Sequence, residues 1–349
     1  MTHQGRGLGR RQALAGGAAM LLGARAARAA APDPAMLAAA RAEGPLVIIH
    51  GDQEADVVDF FGRFTARFGI QIQQQRIMSG AAMPRLEAEF RANAVDTDIL
   101  WAADYGLMER LNGRGRLLRY ESPEIAAYAP EFRSAVPGFW TTYYLNMTPP
   151  MYDPRRLDPA IAPKTWMDLL DPRWKGQLGF QKTAAGTSFS FWYNLRPLLP
   201  ADYWTRLAAQ NPRGYDSSTQ ILSDLQNGNL LIGAATSLFQ YVKAARSPVP
   251  VNVVFPPEGV PSNIIVTGIL APTKRPNAAK IFTDFLLSAE GQTIWNSIQG
   301  SASARTDVQI EGLPDLSKVR KLVPTDLDDY GSNAQRQRYV PIWNRIIGL

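Results

Sequence analysis

The sequence predicts an α/β protein built as two lobes, and three observations carry that expectation. Apolar runs and amphipathic helical patterns alternate three times between residues 45 and 104, as in a parallel sheet whose strands are joined by helices. The 349 residues give enough chain for two cores of ordinary domain size. Pro149, Pro150, Pro154 and Pro159 then interrupt the pattern where the chain would leave one lobe for the other.

The first strand is Leu46-Val47-Ile48-Ile49, which empties into His50-Gly51-Asp52-Gln53-Glu54. A helix follows with Val57, Val58, Phe60, Phe61, Phe64 and Phe68 on its apolar side. A second strand over 70–77 breaks at Ser79-Gly80, and a helix with Met83, Leu86 and Phe90 leads to a third strand over 98–101. That strand ends in Ala102-Ala103-Asp104. Ligands of such sheets sit beyond the carboxyl ends of the strands, which makes Asp52, Gln53, Ser79, Gly80, Trp101 and Asp104 candidates. The aromatic stretch 139–146, with Trp140, begins the crossing.

In the second lobe a strand over 177–180 opens into a Thr/Gly/Ser loop at 183–188, and the aromatic segment from Phe189 resumes as helix. Gly186, Thr187 and Ser188 therefore aim a helix N-terminus at whatever lies beside the strand end, where unpaired N–H groups suit an anionic or carbonyl-bearing ligand. Alternatively Thr187 or Ser188 only caps its own helix. A helix is expected over 200–207, and Ser217-Ser218 precede another that carries Ile221, Leu222 and Leu225 and stops at Asn227-Gly228. A strand over 230–235 leads to Ser237, Phe239 and Tyr241. The return passes 251–259, a strand over 264–271, and helices over 276–287 and 288–299. These readings give one lobe from 44–138 plus 262–310, a second from 139–261, and a segment 311–349, with Tyr330, Arg336, Tyr339 and Trp343, that has no assigned place.

Composition narrows the chemistry. With 46% apolar and 19% charged residues the chain is globular. The formal charge of +6 is concentrated at one end, since five of 37 Lys and Arg precede residue 32 and the rest, 32 against 31 acidic residues, leave +1. The body thus has no net electrostatic attraction for nucleic acid or an anionic membrane. Cysteine is absent, which removes disulfides and thiolate chemistry, and His3 and His50 are the two histidines. A Ser-His-Asp triad or a zinc site would have to rest on His50, so neither an enzyme nor a resident metal or cofactor is expected.

Residues 1–31 read as a cleaved export signal. Arg10-Arg11 precede a weakly apolar run over 13–24, and small residues over 26–31 offer cleavage sites such as Ala27-Arg28-Ala29. The paired arginines and glycine-softened core are of the twin-arginine type. The run is too short to span a bilayer, and no later one is long enough, so a periplasmic protein without membrane insertion is expected, starting near residues 30–32. Changing Arg10 and Arg11 together to Lys should stop export; normal export of that variant would rule out the twin-arginine route.

Several motifs occur in order: Thr165-Trp166, Asp168-Leu169-Leu170-Asp171-Pro172, Trp174-Lys175-Gly176 and Leu178-Gly179-Phe180; Asn227-Gly228; Phe255-Pro256-Pro257-Glu258-Gly259; and residues 276–292 with Ala278-Ala279-Lys280-Ile281-Phe282 and Glu290-Gly291-Gln292. Together they resemble the extracellular solute-binding proteins of ABC importers, in the branch that includes ferric-iron, thiamine, polyamine and aminoethylphosphonate binders. The resemblance covers about residues 45–307. It implies a two-lobed periplasmic binding protein of type II with two hinge crossings, monomeric, which closes on a small-molecule solute and presents it to the permease transmembrane subunits.

The branch's iron binders carry adjacent tyrosines just after the strand that corresponds to 230–235. This sequence has Leu238-Phe239 there, with Tyr241 displaced, so ferric ion is disfavoured. A small organic anion (phosphonate, phosphate ester or carboxylate) would use Ser79-Gly80, Gly186-Thr187-Ser188 and Ser217-Ser218. A polyamine or thiamine would use Asp52, Asp104 and Asp216 with Trp101, Trp140 and Tyr241 around it. The rival class is an exported hydrolase using paired carboxylates such as Asp52 and Asp104. The anion is the favoured expectation.

Overall fold

The computed structural model describes residues 29–103, 105–182, 187–245 and 247–348; residues 1–28 of the expected export signal, Asp104 and Gly186 lie outside them, as do the side chain of Ser79 and the burial of Gly80. After α1 (Pro34–Ala42) come β1 (Leu46–His50), α2 (Glu54–Phe68), β2 (Ile72–Arg76), α3 (Ser79–Arg91), β3 (Ile99–Ala102) and α4 (Tyr105–Asn112). β1 is the centre of this run and pairs in parallel with both β2 and β3. β4 (Thr141–Met147) then leaves the lobe.

The second sheet holds β5 (Met151–Tyr152), β6 (Leu178–Gln181), β7 (Arg213–Tyr215), β8 (Ile232–Gly233) and β9 (Asn252–Val253), with helices α5 (Thr187–Leu195), α6 (Tyr203–Ala209), α7 (Ser218–Asn227) and α8 (Phe239–Ala245) between them. Its order is β7-β6-β8-β5-β9, with β6 parallel to β7 and β8, and β5 antiparallel to β8. β10 (Val260–Ile269) returns to the first sheet antiparallel to β3, followed by α9 (Pro276–Leu287), α10 (Ala289–Gln299), β11 (Lys321–Leu322), α11 (Leu327–Gly331) and α12 (Asn333–Ile347). Each lobe thus repeats one plan, three parallel strands and then an antiparallel one: β2-β1-β3-β10 and β7-β6-β8-β5.

The apolar face expected of α2 packs as the sequence predicts except at Val58, which is exposed: one residue beyond buried Val57 it lies about 100° further round the helix and turns away from the core. Phe60, Phe61, Phe64 and Phe68 are buried, and Phe60 and Phe64 lie 5.4 and 5.6 Å, centroid to centroid, from Phe285 of α9. Gly69 and Gly228 end α2 and α7 at φ of 69° and 80°, a left-handed cap that favours glycine. The two lobes are joined by an antiparallel ribbon of β4 and β10, with Ser262 opposite Met147 at one end and Thr267 opposite Thr141 at the other. The return strand is longer and earlier than the expected 264–271, because residues 260–264 continue the ladder beside β4 and β11. Conversely, the strand expected over 230–235 pairs only at Ile232 and Gly233.

The unassigned C-terminal segment packs mainly on the second lobe. Trp343 meets Phe180 and Phe191 at 5.6 and 6.1 Å, and Tyr339 meets Phe189 and Trp192 at 5.2 and 5.4 Å. Among the described residues no helix is long and apolar enough to cross a membrane.

Candidate functional site

Most of the described candidate residues lie at the carboxyl ends of β1 and β2 in the first lobe and at the N-termini of α5 and α7 in the second. Asp52, expected to face a ligand, is instead buried and committed. Tyr143 and Tyr144 donate to its two oxygens at 2.7 and 2.6 Å, and Gln299 Nε2 donates at 3.2 Å. Consecutive strand residues ordinarily point to opposite faces. Here Tyr144 pairs with Ile265 while Thr142 pairs with Val266, so Tyr143 is an extra residue, and this bulge lets both phenols reach one carboxylate. Burial raises the Asp52 pKa, opposed by the two phenol hydrogen bonds, and burial also holds both phenols protonated well above their ordinary range.

His50, two residues before Asp52 and the last of β1, is fully buried. Its Nε2 lies 2.6 Å from Gln74 Oε1, and the rings of Phe61 and Trp101 stand edge-on to it at 6.3 Å. Burial lowers its pKa below 6.5, against the pull of Gln74 and of Asp52 and Glu54 and with the push of Arg76. A group whose folded pKa is depressed supports the fold while neutral, and that support is lost as pH falls below the unfolded value. Between pH about 7.5 and about 5.5 the wild type should therefore lose more melting temperature than His50→Asn. Parallel melting curves would show the imidazole to be immaterial.

Trp101 lies in the core rather than the cleft: it is 1% exposed, 4.5 Å from the Tyr143 ring and 5.2 Å from Trp295. Trp140 is likewise buried, with Nε1 donating to Glu109 at 2.6 Å. Both tryptophans are held by lobe packing, because their large apolar areas are worth more inside than lining a wet cleft. Gln53 is exposed at the start of α2 with no capping bond of its own.

On the second lobe Ser218 and Ser237 come together, while Thr187 and Ser188 stand at the start of α5. Thr187 opens α5 and its Oγ1 accepts from Asn146 Nδ2 of β4 at 3.3 Å. Ser188 is buried behind it. Ser217 caps α7 through Gln220 N, and Ser218 Oγ accepts from Gln181 Nε2 at the end of β6 and lies 3.5 Å from Ser237 Oγ. Gln240 Nε2 donates to Thr219 Oγ1 at 3.2 Å. Phe239 and Tyr241 are half-buried on α8, with Lys243 Nζ 4.9 Å from the Phe239 ring centroid. Amides and hydroxyls at two helix N-termini can receive negative charge without a full countercharge.

Sequence reasoning missed Arg76. It is the last residue of β2, exposed, and its Nε donates to the Asp52 carbonyl at 2.9 Å, which leaves the Nη groups outside that bond. No carboxylate of the described residues lies within ion-pair distance of it. An arginine ending a strand at the cleft was the available signal. Gln181 was missed because the strand was ended one residue short, and Asn146 because it was taken as connector.

The sequence profile of a family described as bacterial extracellular solute-binding protein matches residues 97–330. The Fe(3+)-binding periplasmic protein of Serratia marcescens is 21% identical over 266 residues, 73% of this chain and 77% of that one. Iron-bound HitA from Pseudomonas aeruginosa superimposes with a TM-score of 0.72 at 20% identity, covering 88% of this chain and 100% of that one. The periplasmic binding protein AfuA from Actinobacillus pleuropneumoniae, with fructose-6-phosphate bound, gives 0.67 at 24% identity over 88% and 99%.

Proposed function

This chain belongs to the bacterial extracellular solute-binding proteins, and from that premise we propose that it works in the periplasm, capturing a small organic anion between its lobes and delivering it to the permease subunits of an ABC importer. The solute class is a phosphonate, phosphate ester or carboxylate. The observation that carries this reading is Arg76, a guanidinium fixed through Nε at the strand ends and, among the described residues, without a carboxylate of its own. A planar fork of donors suits a phosphate or carboxylate. Thr187, Ser218 and Ser237 supply neutral donors from the other lobe, beside the N-termini of α5 and α7.

The cationic alternative loses most of its residues to packing. Asp52 is saturated, Trp101 and Trp140 are interior, and exposed Asp216 already pairs with Lys182 at 3.4 Å. The ferric reading is favoured by the relatives named for iron. Against it stand Leu238 and Phe239, which offer no oxygen donor, and the protonated state of Tyr143 and Tyr144.

A thermal-shift screen separates these. A solute at about 100 times its Kd should add about 2.7 kcal/mol to the folded state. Phosphate esters, phosphonates or carboxylates should stabilise; stabilisation by polyamines, thiamine or ferric ion alone would overturn the anion reading. With the solute so found, X-ray scattering should show a smaller radius of gyration, since bending of the β4–β10 ribbon brings the lobes together. Unchanged scattering at saturation would count against closure.

A further inference from the structure

Tyr330 is 2% exposed and lies between the lobes. Its helix, α11, is fastened to the second lobe: the Asp329 carboxylate accepts from Tyr193 OH at 2.8 Å, Arg196 Nη2 at 2.9 Å and Gln335 Nε2 at 2.8 Å. On that side the Tyr330 ring packs edge-on against Tyr193 at 4.9 Å and tilted against Phe189 at 5.0 Å. Arg336 covers the Phe189 ring at 3.6 Å and completes the seat. On its other side Tyr330 stacks on Tyr105, with centroids 5.6 Å apart and planes at 16°. Tyr105 opens α4 of the first lobe, just past the end of β3, and Phe189 stands two residues into α5. The stack therefore links the start of α4 in one lobe to the start of α5 in the other. Beside it lies a cavity of about 740 Å³, lined by Glu109 and Ala135 from one lobe and Thr325 and Ser332 from the C-terminal segment.

Because α11 is fastened to the second lobe, opening of the lobes about the β4–β10 ribbon must pull Tyr330 away from Tyr105. We propose that Tyr330 is a positioning residue of the solute site, carried by the C-terminal segment: its stack on Tyr105 biases the lobes toward the closed spacing that solute completes, and so sets the distance between Arg76 and the hydroxyls of α5 and α7. This rests on the solute-capture reading for its purpose, but its test needs no solute.

The chain has no cysteine, so a Val58→Cys, Ile161→Cys pair can carry a donor and an acceptor dye. Val58 is 56% exposed on α2 and Ile161 is 49% exposed on the second lobe. In the full-length, solute-free protein, Tyr330→Leu should lower energy transfer, as the lobes move apart. Tyr105→Leu should do the same from the other side, leaving the seat of α11 intact. Tyr330→Phe should restore the wild-type transfer, because the stack uses the ring. Unchanged transfer in the folded Tyr105→Leu protein would overturn the proposal, even if Tyr330→Leu fails to fold; a lower melting temperature with unchanged transfer in both would make Tyr330 a packing residue only. Failure of the anion reading would leave the transfer change in place, so the two are told apart.

Discussion

Asp52→Ala is expected to cost the folded protein about 2 to 4 kcal/mol, since each buried donor left without an acceptor costs about 1 to 3 kcal/mol and release of a buried charge returns part of it. The donors are the phenols of Tyr143 and Tyr144, which reach Asp52 only because the bulge in β4 turns both the same way. If that account holds, Asp52→Ala combined with Tyr143→Phe and Tyr144→Phe should recover most of the loss, as paired removal leaves only the longer Gln299 bond without its acceptor. Urea unfolding midpoints of the single and triple variants provide the measurement. A single variant as stable as wild type would mean that the burial penalty on the carboxylate outweighs the bonds it accepts.

Arg76→Met should weaken binding of the anion identified by the screen by about 1.5 to 3 kcal/mol, roughly ten- to a hundredfold in Kd. Arg76 is exposed at the end of β2, and surface changes of this kind usually alter stability by less than about 0.5 kcal/mol. Arg76→Lys keeps the charge without the fork and should fall between the two. Titration calorimetry with wild-type Kd in Arg76→Met would remove the residue that carries the anion reading. Thr187→Val should cost less, as it removes a neutral group already engaged with Asn146.

Periodicity made the α/β layers legible because it reports burial directly: the phenylalanines of α2 and the apolar runs of β1 and β3 read correctly from spacing alone. Residues at strand ends were legible as positions but not as orientations. Asp52 and Trp101 sit where the sequence placed them along the chain, yet the interior takes both side chains. That outcome depends on Tyr143 and Tyr144, about ninety residues later, and on a one-residue bulge that leaves no mark in composition. The C-terminal segment was illegible for a related reason. Its aromatics, Tyr330, Tyr339 and Trp343, have partners on α4, α5 and β6, far away in sequence, so no local pattern announces them.

The position of β10 bears on how the chain can be made. It is the neighbour of β3 and the sole ladder partner of β4 among the described strands, yet it comes some 160 residues after β3. A nascent chain that has emerged only to residue 259 carries β1, β2 and β3 with one edge of β3 uncovered, and α2 without Phe282 and Phe285. The second lobe, whose five strands all fall between residues 151 and 253, can by then close its own sheet. Synthesis in this order makes the half that begins first finish last, and a translation arrest before residue 260 should yield a protease-resistant fragment from the middle of the chain and none from its start.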